Sequence, residues 1–284
     1  MHPTHLRILL LFAMGYLMAC GTVPNTSVTA VSSGEQLARV DDSLYANVLA
    51  RAVNASGAIS LAELRGDSNL TEYLDEISRM RTDVFVSRQA ALAFWINAHN
   101  AWVLDLLRSN PGAKSTDDIS GFRYARVFYS GNQRYSLDDI EHSVLVKQFA
   151  EPRGFFALCD GTRSSPTLRT EPYSEQHLSE QLDDQLKHFL ADSTRNVLDR
   201  HTNTLYLSEI FRTYLDDFER ISGSVTAFVR AFAPPAMASW IDGHPAVRIS
   251  YLTYDHTINS SDIEYSRPVE RPKRPAHRPT GGIQ

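Results

Sequence analysis

The segment from 87 to 109 constrains this chain most: apolar residues recur through it at helical spacing, and its centre reads Ala93-Phe94-Trp95-Ile96-Asn97-Ala98-His99-Asn100-Ala101-Trp102. Apolar periodicity of that length predicts a helix. Asn97 and Asn100 stand one turn apart within it. Asparagine is a mediocre helix former because its side chain competes for backbone hydrogen bonds. Two in an apolar helix therefore predict buried side-chain bonds that tie the helix to a neighbouring loop. A catalytic or ligand-binding role for the pair is the other reading.

Helical periodicity also marks 42–54, 68–80, 137–150, 174–191, 207–221 and 224–232. Ser136-Leu137-Asp138-Asp139 has the form of a helix cap, a hydroxyl followed by acidic residues in the first turn. Short β candidates are 122–129 and 133–135 around Ser130-Gly131-Asn132, then 154–158, 203–207 and 247–254. The predicted fold is α+β: a mainly helical single domain, 40–263, with a small, mostly antiparallel sheet.

The two ends of the chain differ from this body. Arg7 precedes an apolar run of about a dozen residues that ends at Ala19-Cys20. The run is shorter than the roughly 20 residues of a spanning helix, so 1–19 is expected to be a cleaved signal peptide. Leu17-Met18-Ala19-Cys20 resembles the bacterial lipobox. That resemblance implies diacylglycerol and an acyl group such as palmitate on Cys20, and Gly21 in the next position implies the periplasmic face of the outer membrane. Residues 20–39 read as a lipidated flexible tether. Residues 264–284 carry Pro268, Pro272, Pro275 and Pro279 among basic residues and read as a disordered tail.

Because the tail and leader are basic, the formal charge of −5 conceals a more acidic body, which argues against nucleic acid as a partner. The expected partners are a membrane, through lipid on Cys20, and an unidentified protein, peptide or small molecule. Only Cys159 remains once Cys20 is acylated, so no intramolecular disulfide is expected. GxGxxG, Walker, HExxH, paired CxxC and GxSxG patterns do not occur, and no cofactor or metal site is expected.

Two further segments could carry chemistry. Glu141-His142 places a carboxylate and an imidazole on the helix begun at Ser136, where adjacent side chains diverge too far to pair directly. In Arg153 through Leu168, an apolar stretch enters a polar loop stopped by Pro166. Ser165 there is a candidate nucleophile, which needs a base and an oxyanion hole, or a simple turn residue.

In order, the Phe94–Ala101, Ser136–His142, Arg153–Leu168, Leu207–Phe218 and Tyr251–Asn259 segments resemble the blocks of the family called domain of unknown function 547. The resemblance covers roughly 45–260 and implies one domain without naming an activity. Members commonly read Arg-x-His-Phe-Ala-Leu-x-Cys and then Cys-Pro-Pro-Leu. Here Phe155 replaces the histidine, Asp160 the first cysteine and Ser165 the second, while Cys159 lies one position off. His99 stands where tyrosine is usual and His256 where tryptophan is usual.

These departures favour an envelope lipoprotein with a binding or degenerate site, with Asn97, Asn100, Asp160, Asp255 and His256 as candidate binding residues. The alternative is a hydrolase or acyl-transferase using His142 with Ser165 or Cys159, and Glu141 in support.

Overall fold

The computed structural model describes residues 40–83 and 85–263. Cys20, the signal segment, the tether and the basic tail lie outside the described residues.

The segment that dominates the sequence is α4 (Arg88–Ser109), begun where the Ser87 hydroxyl accepts the Ala90 N–H at 3.0 Å. Its buried residues run unbroken from Ala91 to Leu104. A helix whose middle is buried on every side must be enclosed, and α4 is, with Asn97, His99 and Asn100 the polar residues inside the run. Packed around it are α1 (Asp42–Ala52), the short α2 (Leu61–Leu64) and α3 (Ser68–Arg79). Asp41 caps α1 by accepting the Ser43 N–H, and Asp67 caps α3 by accepting the Leu70 N–H.

A hairpin of β1 (Phe128–Ser130) and β2 (Gln133–Tyr135) covers another part of this first core. Its turn holds Gly131 at φ 57°, where a side chain would press to 3.1 Å from the Met80 carbonyl. A segment wound as a π-helix, Asp139–Phe149, follows. The cap expected at Ser136 forms reciprocally: its hydroxyl accepts the Asp139 N–H at 3.0 Å, and the Asp139 carboxylate accepts the Ser136 N–H at 2.9 Å.

The second core gathers Phe155, Phe156 and the C-terminal half of α5 (Leu178–Ala191) against the later elements. These are β3 (Val197–Asp199), β4 (Thr204–Leu207), α6 (Ile210–Thr213), α7 (Leu215–Ser222), α8 (Val225–Phe232), α9 (Pro235–Gly243) and β5 (Arg248–Tyr251). β3 pairs antiparallel with β4, and β4 pairs parallel with β5. The parallel pairing requires a crossover, which α6–α9 supply.

The architecture is the expected mainly helical α+β domain with little sheet. Several element boundaries differ from expectation. Residues 154–158 are no strand: Pro152–Phe156 form a 3₁₀ turn, capped where the Glu151 carboxylate accepts the Arg153 N–H. The apolar run that suggested β structure instead places Phe155 and Phe156 in the second core. The proposed strand 122–129 is turn to Tyr124 and irregular to Val127, with pairing only from Phe128. The helix over 207–221 breaks at Tyr214, which closes α6 and opens α7.

Candidate functional site

Between the two cores lies a cavity of about 380 Å³. The π-helix contributes Glu141 and His142, α4 contributes His99, and the start of α7 contributes Tyr214. Arg123 comes from the turn before the hairpin, Asp138 from the residue that opens the π-helix, and Asp160, Tyr254 and His256 from loops.

Glu141 is the buried centre of this cavity. Its Oε2 accepts the Tyr214 hydroxyl at 2.6 Å and forms an ion pair with the Arg123 guanidinium. Its Oε1 lies 3.4 Å from His99 Nε2. Burial disfavours a charged Glu141, but the hydrogen bond from His99 and the Arg123 charge prevail and hold its carboxyl below the ordinary value. The same contacts act on the partners. Burial opposes the charge on Arg123, yet Glu141 and Tyr214 raise its pKa, while burial raises that of the Tyr214 phenol. The Phe155 ring stacks on Tyr214 with centroids 3.9 Å apart and fixes the phenol's direction.

His142 and Asp138 stand at the rim. His142 Nδ1 is 3.1 Å from Asp138 Oδ1, and the imidazole is 42% exposed. Asp160 faces the cavity from another side, its carboxylate accepting the Tyr254 hydroxyl at 2.7 Å and the Thr162 hydroxyl at 2.7 Å. The Tyr254 ring leans on His256 at 4.8 Å.

Of the residues singled out from the sequence, Glu141, His142, Asp160 and His256 share this cavity, with His99 and Phe155 beside them. The two asparagines lie behind it. Asn97 clamps the Tyr173 backbone, donating to its carbonyl at 2.8 Å and accepting its N–H at 2.9 Å. Asn100 donates to the Ala157 carbonyl at 3.0 Å and accepts the Cys159 N–H at 2.9 Å. Asn100 Oδ1 also lies 3.2 Å from His99 Nδ1, so it links the loop to the cavity wall.

Ser165 and Cys159 are buried beside each other, Oγ to Sγ 3.5 Å, and neither lines the cavity. The Ser165 hydroxyl lies 3.1 Å from the carbonyls of Thr162 and Pro166. Burial pushes the Cys159 thiol up to about 11. Their loop turns at Gly161, φ 74°, where a Cβ would stand 2.6 Å from Leu107. Asp255 faces an adjoining cavity of about 140 Å³ with Arg163 and Arg195, which shares Glu209 and Tyr254 with the first. Among the described residues no cluster of three or more His, Cys, Asp or Glu side chains is placed to hold a metal ion.

Sequence reasoning missed Arg123, Tyr214 and Tyr254 as site residues and saw Asp138 only as part of a cap. Arg123 lay in a stretch read as a strand, and Tyr214 in a stretch read as a continuous helix.

The fold and its cavity define a mainly helical α+β domain with a polar, ligand-sized recess between two apolar cores. Residues 85–190 match the model of the family described as "Protein of unknown function, DUF547". The matched stretch supports that domain family and holds α4, the hairpin, the π-helix and the Cys159–Ser165 loop. No curated protein and no solved structure matches the chain.

Proposed function

We propose that the chain is a cell-envelope lipoprotein, held through lipid on Cys20 at the periplasmic face of the outer membrane. Its folded domain binds a small polar ligand, or the end of a peptide, in the Glu141 cavity. One observation carries the binding reading: His99, Phe155, Asp160 and His256, four positions at which the sequence departs from the resembled family pattern, all line this one cavity. Substitutions that converge on a recess change what it recognises more readily than how the fold stands.

The chemistry of the lining favours a ligand rich in hydrogen-bond donors. Asp138, Glu141, Asp160 and Glu209 present carboxylates, against Arg123 as the fixed cation. Tyr254 and the exposed Tyr124 add aromatic faces. Hydroxyl or ammonium groups suit such a surface, and about 380 Å³ lies at the small end of ligand cavities.

Calorimetric titration of the intact chain with amines, amino sugars, polyols and short peptides tests the proposal. Binding that Asp160→Asn and His256→Ala both weaken supports it. A bound ligand indifferent to both variants rules this cavity out.

The alternative, a hydrolase or acyl-transferase built on His142, has one observation in its favour. A carboxylate-oriented imidazole, Asp138 to His142, stands at the cavity rim as a general base would. With Ser165 and Cys159 buried outside the lining, water is the nucleophile such a base would serve. Turnover of ester, amide or glycoside substrates that His142→Ala abolishes would establish this reading.

A further inference from the structure

A second cavity, of about 350 Å³, shares no lining residue with the first. It opens where the start of α1, Met80, Phe85 and Val86, the first turns of α4 and the 173–176 loop meet. Its floor is apolar and aromatic, with Phe85, Phe94 and Tyr173 buried beneath and Val86 exposed at the wall. Its rim is acidic. Asp41, Asp42 and Glu175 line it, and each takes its hydrogen bonds from neutral donors: the Ser43 N–H for Asp41, the Tyr73 hydroxyl and the Asn97 amide for Asp42, and the Ser87 hydroxyl for Glu175. No arginine or lysine among the described residues pairs with any of the three. The groove therefore offers aromatic faces and uncompensated negative charge together.

This chain contains a segment of the complementary chemistry. Residues 267–279 read Arg-Pro-Val-Glu-Arg-Pro-Lys-Arg-Pro-Ala-His-Arg-Pro, with an arginine before every proline. Pro272 and Pro275 are three residues apart, the spacing that puts two prolines on one face of a polyproline II helix. Proline pairs at that spacing dock in aromatic-lined grooves, and flanking arginines pair with carboxylates at the rim.

The path between the two is short. Ser260 and Ser261 adjoin Ile59, and the Ser60 N–H reaches the Ala52 carbonyl at 2.7 Å, so the chain leaves the fold near the last turn of α1. The groove lies at the first turn of the same helix, 11 residues or about 16 Å away. The nine residues from Ile263 to Pro272 span up to about 30 Å.

We propose that the groove formed by Asp41, Asp42, Phe85, Phe94, Tyr173 and Glu175 is a docking site for the chain's own Arg-Pro segment, centred on Arg271–Pro275. The prolines lie on the aromatic floor and the arginines reach the acidic rim. Docking there folds the basic tail back on the acidic body and occupies the groove.

Zero-length carbodiimide coupling of the intact chain, read by peptide mass spectrometry, tests this directly, because Lys273 is the lysine of the segment. The expected product joins Lys273 to Asp41, Asp42 or Glu175 within one molecule, as shown by mixing isotopically light and heavy protein. Val86→Lys, which adds a cation to the exposed wall, and Arg271→Glu with Arg274→Glu are each expected to abolish the product while the melting temperature holds. The proposal is overturned by any of three results: no Lys273 product, coupling to carboxylates outside the groove, or products that persist in Val86→Lys. Products joining light to heavy chains overturn the own-chain occupant in favour of a second copy.

Discussion

Tyr214 donates its hydroxyl to Glu141 across 2.6 Å, joining two segments 73 residues apart and bridging the two cores at the cavity between them. Tyr214→Phe keeps the ring stacked on Phe155 and removes that bond together with the longer one, 3.3 Å, that the hydroxyl accepts from Arg123. A hydrogen bond to a charged group contributes about 1.5–3 kcal/mol, and Arg123 and His99 still hold the carboxylate. The expected loss is at the lower end, about 1.5 kcal/mol by urea unfolding. A loss above about 3 kcal/mol would mean that the phenol does more than bridge.

Glu141 should also shape the acid limb of stability. Its folded pKa is lowered, so its contribution is complete above the unfolded value, about 4.3, and disappears as pH falls through the lower folded value. Glu141→Gln is expected to flatten urea-derived stability in that acid range relative to the parent. It should also cost stability at neutral pH, because Arg123 loses its buried partner. Parallel acid limbs in the two proteins would show that the carboxylate is unperturbed.

Asn100→Ala removes three contacts at once, to Ala157, Cys159 and His99. Leaving a buried carbonyl and a buried N–H without partners is expected to cost about 3 kcal/mol. That corresponds to a fall in melting temperature of roughly 6–12 °C for a domain of this size. Calorimetry checks this, and an unchanged melting temperature would show that the loop does not depend on α4.

Cys159 should be inert in the folded protein. With its thiol pushed up to about 11 by burial, it is protonated and inaccessible at pH 8, so Ellman's reagent is expected to react only after denaturant is added. The raised value carries a second consequence. The neutral thiol stabilises the fold below the ordinary value, and that contribution is lost as pH rises from about 8.5 towards 11. Rapid native labelling would contradict both.

For the proposed anchor, Cys20→Ser is expected to abolish incorporation of labelled palmitate and to move the protein from the membrane to the soluble fraction. Three acyl chains exceed the two signals that stable anchoring usually requires, so the change should be near complete. A mutant that still carries lipid and sediments with membrane disproves anchoring through this residue.

Much of the architecture was legible before any coordinates. The apolar periodicity of α4 and the Ser136 cap each express a local rule, with side chains spaced by the helical repeat or bonded within a few residues, so 87–109 and the start of the π-helix could be read directly. The same rules misled at 154–158, because two adjacent phenylalanines suit a strand and a buried 3₁₀ turn equally until the core that receives them is known.

The cavity was half visible. His99, Glu141, His142, Phe155, Asp160 and His256 stood out as polar or unusual residues in apolar or motif-like contexts, and the structure brings them together. Arg123, Tyr214 and Tyr254 carried no such mark.

The linear order of residues by itself determined where most of the helices form, though not α2 or α9, that the described body is mainly helical with little sheet, and which residues are chemically unusual. Only the tertiary structure decided that Glu141 meets Arg123 and Tyr214, and that Ser165 and Cys159 turn inward, away from the cavity. The reason is range. Helix periodicity and capping act over one turn, whereas Arg123, Glu141 and Tyr214 meet because two separate hydrophobic cores close against each other, and no local pattern records which side chains will face across that seam.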